Sequence, residues 1–74
     1  MSPQQRFDLY LGQETIYREY SDHKVRITLS FDSIAYYVRH YFDDGTEYIR
    51  SFVHEYGENG AKAFFNESVR IASL

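Results

Sequence analysis

The stretch 33–56, SIAYYVRHYFDDGTEYIRSFVHEY, constrains the fold most, because its period decides between two architectures. On the helical period, Ile34, Tyr37, Val38, Tyr41 and Phe42 make one apolar stripe. The stripe resumes after Asp43-Asp44-Gly45 with Ile49, Phe52, Val53 and Tyr56. On a period of two, the β-branched and aromatic content is high and Asp-Gly signals a hairpin turn. The alternation is poor, however: Tyr36, Val38, His40 and Phe42 on one face leave Tyr37 and Tyr41 on the other. The spacing predicts two short helices joined by a tight turn, with a β-hairpin as the competing reading.

The flanks carry clearer signals. In Val25 to Phe31 every odd position is apolar and every even one polar, a strand with one face on a core and one face wet. Residues 6–11 and 14–20 read as two earlier strands, separated by a Gly12-Gln13 turn. Asp32-Ser33 is suited to an N-cap, and Gly57 to the end of a helix. Asn59 is placed to cap a last helix, with Ala61, Phe64, Phe65, Ser68, Val69 and Ala72 on one stripe. The expectation is a single α+β domain over 1–74. It has a three-stranded antiparallel meander (about 6–11, 14–20 and 24–31) covered by three short helices (about 33–42, 46–56 and 61–73).

Size and composition exclude several classes. At 74 residues the chain makes one core, and burial alone leaves it marginally stable. It has no cysteine, which rules out disulfides, thiolate metal sites and thiol nucleophiles. Residues 1–5 contain no apolar signal core and no run approaches a membrane span, which predicts a cytoplasmic protein. Without a secretion signal, the sequon Asn66-Glu67-Ser68 reads as chance. Eleven acids against eight bases give a net charge of −3, the wrong sign for a nucleic-acid binder. Aromatics are 19% of the chain, with eight tyrosines and six phenylalanines. Eight tyrosine hydroxyls cannot all be satisfied inside so small a core, so some tyrosines belong at the surface, where they suit protein contacts.

Candidate chemistry clusters in 36–58. His40 and His54 with Asp43, Asp44 and Glu55 are metal-ligating residue types, but no ligand-like spacing occurs within one element. Two histidines on polar helix faces is the simpler reading, and no metal or other cofactor is expected. Asp43-Asp44 is a carboxylate pair, yet consecutive turn residues point apart into water, and no triad, elbow or phosphate loop accompanies them. No enzyme is expected. Of the tyrosines, Tyr37, Tyr41 and Tyr56 fall on the core stripes. Tyr36 and Tyr48 lie off them and are candidates for partner contact, with Tyr10 or Tyr17 on the outer sheet face. The acids Asp43, Asp44, Glu47, Glu55 and Glu58, against the single base Arg50, are either a solvated face or a docking surface for a basic partner.

In general character (small, cysteine-free, slightly acidic and without a catalytic motif) the chain resembles the small phage-encoded inhibitors of the anti-CRISPR type. That resemblance implies a non-enzymatic inhibitor that occupies a nucleic-acid-binding or subunit surface of a partner complex. The acids point to the basic nucleic-acid-binding kind and to a partial DNA mimic, for which a net charge of −3 is modest. It assigns no residue roles. On the residues themselves, Asp43, Asp44, Glu47, Glu55 and Glu58 would supply charge, and Tyr36 and Tyr48 contact. The alternative is a homo-oligomeric structural or adaptor module with a tyrosine-rich self-interface. A helix-turn-helix DNA binder is disfavoured, because the candidate recognition helix offers only Lys62 and Arg70 beside Glu67.

Overall fold

Three aspartates bend this chain into a meander. A computed structural model describes residues 15–74, the Tyr56 side chain excepted. Among these residues, β1 (Thr15–Ser21), β2 (Val25–Phe31), β3 (Ala35–Phe42) and β4 (Glu47–Val53) form one antiparallel sheet in chain order, and α1 (His54–Ala72) follows. Between β1 and β2, Asp22 Oδ1 accepts the Lys24 and Val25 amides at 2.7 and 2.9 Å. Between β2 and β3, Asp32 Oδ1 accepts the Ile34 and Ala35 amides at 2.7 and 3.0 Å. In the third turn Asp44 Oδ1 accepts the Thr46 amide at 2.9 Å, and Gly45 adopts a φ of 91° that a side chain would strain. The Phe42 amide donates to the Thr46 carbonyl and the Gly45 amide to the Phe42 carbonyl. That is the three-residue hairpin loop with a left-handed residue at its end.

The register sorts the side chains. Ile27 lies opposite Tyr20 and His40, Leu29 opposite Arg18 and Val38, and Arg50 opposite Val38. Val25, Ile27, Leu29 and Val38 therefore share the face on which α1 packs through Ala61 and Phe65. Burying such side chains stabilises by roughly 1.5–3 kcal/mol each. A bulge between Ile16 and Arg18 leaves Tyr17 unpaired in register, with its ring 6.1 Å from Phe31 and under the Lys62 ammonium at 4.7 Å.

The expected three-plus-three architecture is wrong. The strands expected at 14–20 and 24–31 are present as β1 and β2, whereas 6–11 and the Gly12-Gln13 turn lie outside the described residues. The helices expected at 33–42 and 46–56 are the strands β3 and β4, and the helix expected from 61 begins at His54. The reason is burial on both faces of β3. Val38 faces α1 at 0% exposure while Tyr37 and Arg39 on the opposite face are 8% and 6% exposed, so the period-two contrast vanishes. The same burial corrects part of β2, whose polar face is wet only at Arg26: Thr28 and Ser30 are as buried as their apolar neighbours. Asp32 caps a turn rather than a helix, and Asn59 lies inside α1.

Gly57, expected to end a helix, sits inside one. A Cβ there would lie 2.7 Å from the Phe52 carbonyl oxygen, so its missing side chain lets the first turns of α1 settle on the end of β4. No side chain caps this helix, which starts directly from extended Val53.

Candidate functional site

β4 is an edge of the sheet formed by the described residues, and it is barely covered. Tyr48, Ile49 and Val53 are 51%, 51% and 64% exposed. By register Tyr48, Arg50 and Phe52 project on the α1 side, and Glu47, Ile49, Ser51 and Val53 on the opposite side. The Arg50 guanidinium lies over the Phe52 and Phe64 rings at 5.2 and 5.0 Å. The preceding turn places Asp43 and Asp44 at the hairpin tip, and Glu47 opens the strand, all three exposed.

The expected acidic cluster is divided by this strand. Asp43, Asp44 and Glu47 lie at one end of β4; Glu55 and Glu58 lie past the other, on the first turns of α1. Seven strand residues span about 20 Å. Two of the acids have structural partners. Asp44 is held below the usual carboxylate range by the Thr46 side chain and amide. Glu58 pairs with Lys62 at 3.0 Å one helical turn away, and that ammonium is raised by Tyr17 and then by Glu58. Asp43, Glu47 and Glu55 are the acids left for a partner.

The two contact tyrosines differ. Tyr48 is exposed, with one ring edge against His40 at 5.6 Å. Tyr36 is half-buried between Phe31 (5.6 Å) and His54 (4.8 Å), a packing residue rather than a projecting one. Tyr37 is in the interior as expected, Tyr17 is exposed, and Tyr10 and the Tyr56 side chain lie outside the described residues.

The histidines do not converge. His54 Nε2 contacts the Asp32 carbonyl, while His40 lies in mid-sheet beneath Phe64. Among the described residues, no group of three or more His, Cys, Asp or Glu side chains is gathered as for a metal ion. His40 instead lines an open cleft of about 530 Å³ between the lower sheet and the end of α1, with Val25, Phe42, Ile71 and Lys24 among its walls. His40 Nδ1 is buried and has no hydrogen-bond partner among the described residues. Burial holds its imidazole below the ordinary histidine value.

Sequence reasoning missed Ile49 and Val53 as surface residues, because the helical stripe assigned both to the core. The signal that would have found them was present: Asp-Gly between two β-branched and aromatic runs. Among the described residues no helix is long and apolar enough to cross a membrane. A scan against protein-family models, a search of curated proteins and a search of solved structures each returned no match.

Proposed function

We propose that this chain is a small, acidic, non-enzymatic protein-binding inhibitor that acts in the cytoplasm by docking on a basic, nucleic-acid-binding surface of a partner. The observation that carries the reading is the uncovered β4 edge, where Tyr48, Ile49 and Val53 are each at least half exposed. Monomeric domains seldom leave an apolar strand edge open without a use for it. Asp43 and Glu47 at one end of this edge and Glu55 at the other supply the sign: the partner is basic where it meets the ends and apolar between them. The bridging strand gives the contact its specificity, with Tyr48 as its anchor.

The test is capture on the tagged full chain from bacterial lysate at low and high salt, followed by competition with nucleic acid on the captured complex. The expected result is a basic nucleic-acid-handling complex that high salt releases and nucleic acid displaces. Asp43→Asn with Glu47→Gln should weaken capture chiefly through the on-rate, and Tyr48→Ala through the off-rate. Asp44 is left in place because its carboxylate holds the turn. Capture indifferent to salt and to both acid substitutions would overturn the reading.

A further inference from the structure

The geometry of β4 points to a second occupant of the same edge. We propose that, in the absence of a partner, β4 pairs antiparallel with β4 of a second copy of this chain, with Ser51 on the two-fold axis.

The backbone sets the possibilities. The Phe42 amide donates to the Thr46 carbonyl, and hydrogen-bonded pairs recur at every second residue of an antiparallel ladder. Tyr48, Arg50 and Phe52 therefore exchange their bonds with His40, Val38 and Tyr36 of β3. Ile49 and Ser51 turn both N–H and C=O outward, and Val53 its N–H, its carbonyl serving α1. A two-fold pairing of these outward groups must be centred on one residue, because opposed residues share a face.

The side chains then select the register. Centred on Arg50, the pairing sets Arg50 against itself and Glu47 against Val53. Centred on Ile49, it leaves Val53, the most exposed apolar residue of the strand, facing Gly45. Centred on Ser51, it places Ile49 opposite Val53 of the copy, twice by symmetry, and Arg50 opposite Phe52, twice again. The two exposed apolar residues of the outer face cover each other, Ser51 meets Ser51, and about four backbone hydrogen bonds join the sheets. Of these three registers, this one alone sets the exposed apolar residues against each other.

Charge opposes it. Each copy carries −3, and the antiparallel arrangement brings Glu47 at the start of β4 toward the end of the copy's strand, where Glu55 lies in the first turn of α1, so acids gather at both rims. Salt screens such exposed pairs, so self-association tightens with ionic strength, the reverse of docking on a basic partner. A contact made by one short strand edge falls below the roughly 1,200 Å² of stable complexes, so the self-association is weak and concentration-dependent. The proposal stands apart from the inhibitor reading, which a monomer would leave intact.

Sedimentation equilibrium of the full chain from about 10 µM to 1 mM, at about 50 and 500 mM NaCl, tests it. The expected result is a monomer–dimer equilibrium tightened several-fold by salt, and tightened at low salt by Glu47→Gln with Glu55→Gln. Ser51→Pro removes an outward N–H and no bond to β3, so it should abolish the dimer while circular dichroism stays unchanged. If that variant fails to fold, Ile49→Lys with Val53→Lys takes its place. A monomer throughout the range, a dimer weakened by salt, or a dimer untouched by a folded edge variant overturns the proposal.

Discussion

The Tyr37 hydroxyl donates to Asp32 Oδ2 at 3.0 Å, while Asp32 Oδ1 holds the two amides of its turn. The first turn repeats the arrangement: Tyr20 donates to Asp22 Oδ2 at 3.0 Å, while Asp22 Oδ1 holds the Lys24 and Val25 amides. The two sites differ in burial. Asp32 is 6% exposed and Asp22 lies in water, so one carboxylate is an interior strut and the other a surface clip.

Asp32→Ala is therefore expected to destabilise the fold by about 2–3 kcal/mol, since it strips buried donors of a charged acceptor. Tyr37→Phe should lose about 1–2 kcal/mol, and Asp22→Ala distinctly less than Asp32→Ala. Urea unfolding of the three variants orders them. Equal losses at Asp22 and Asp32 would mean that burial does not set the difference.

The acid limb of stability follows from the same residue. Burial would raise the Asp32 carboxyl, but the Ile34 and Ala35 amides and the Tyr37 hydroxyl outweigh it and hold it below 3.8. A carboxyl lower in the folded than in the unfolded chain stabilises fully above about pH 5 and loses that contribution as pH falls through its folded value. Asp32→Asn should flatten the fall in melting temperature between about pH 5 and 3. Asp22, Asp44 and Glu67 are also lowered but exposed, so they contribute a smaller, salt-sensitive share.

His40 acts at higher pH. Its folded value lies below 6.5, so the unfolded chain takes up the proton first, and stability drops as pH falls from above 6.5 toward the folded value. His40→Phe removes an unpartnered buried nitrogen among Phe42, Tyr48 and Phe64. The variant should gain about 1 kcal/mol at neutral pH. The gain should widen at pH 6, as melting curves at both values would record.

The two helical glycines should respond in opposite directions to alanine. At Gly57 the new Cβ meets Phe52 backbone atoms at 2.7 and 2.9 Å, which cannot yield without moving β4. Gly57→Ala should lose about 1–3 kcal/mol despite the better helix propensity. At Gly60 the nearest atom is a Phe52 ring carbon at 3.3 Å, and a ring can rotate away. Gly60→Ala should gain up to about 1 kcal/mol. Denaturant midpoints of the pair decide.

The strands β1 and β2 were legible because their signals are local: a β-rich run in 15–20 and strict alternation from Val25 to Phe31. The hairpin at Asp43-Asp44-Gly45 was legible too, through its turn residues, but was outweighed by a helical stripe that has no structural meaning. Ile34 and Phe42 on that stripe are exposed while Arg39 off it is buried, which no single-face helix would produce. The acids of the candidate site were visible as residues, and their separation by the length of β4 was not.

Local sequence encodes the turns, because an aspartate two residues before an amide, or a glycine free to take positive φ, acts within four residues of chain, although Asp32 reads equally well as a helix cap. It also determined the small acidic character and the stripe of the last helix. Long-range packing decided that 35–42 is a strand, since a segment covered on both faces carries no alternation to read. It alone decided that α1 starts at His54, where Gly57 meets the Phe52 carbonyl across the strand–helix corner. That contact joins a strand residue to a helical glycine, and no periodicity within a single element encodes it.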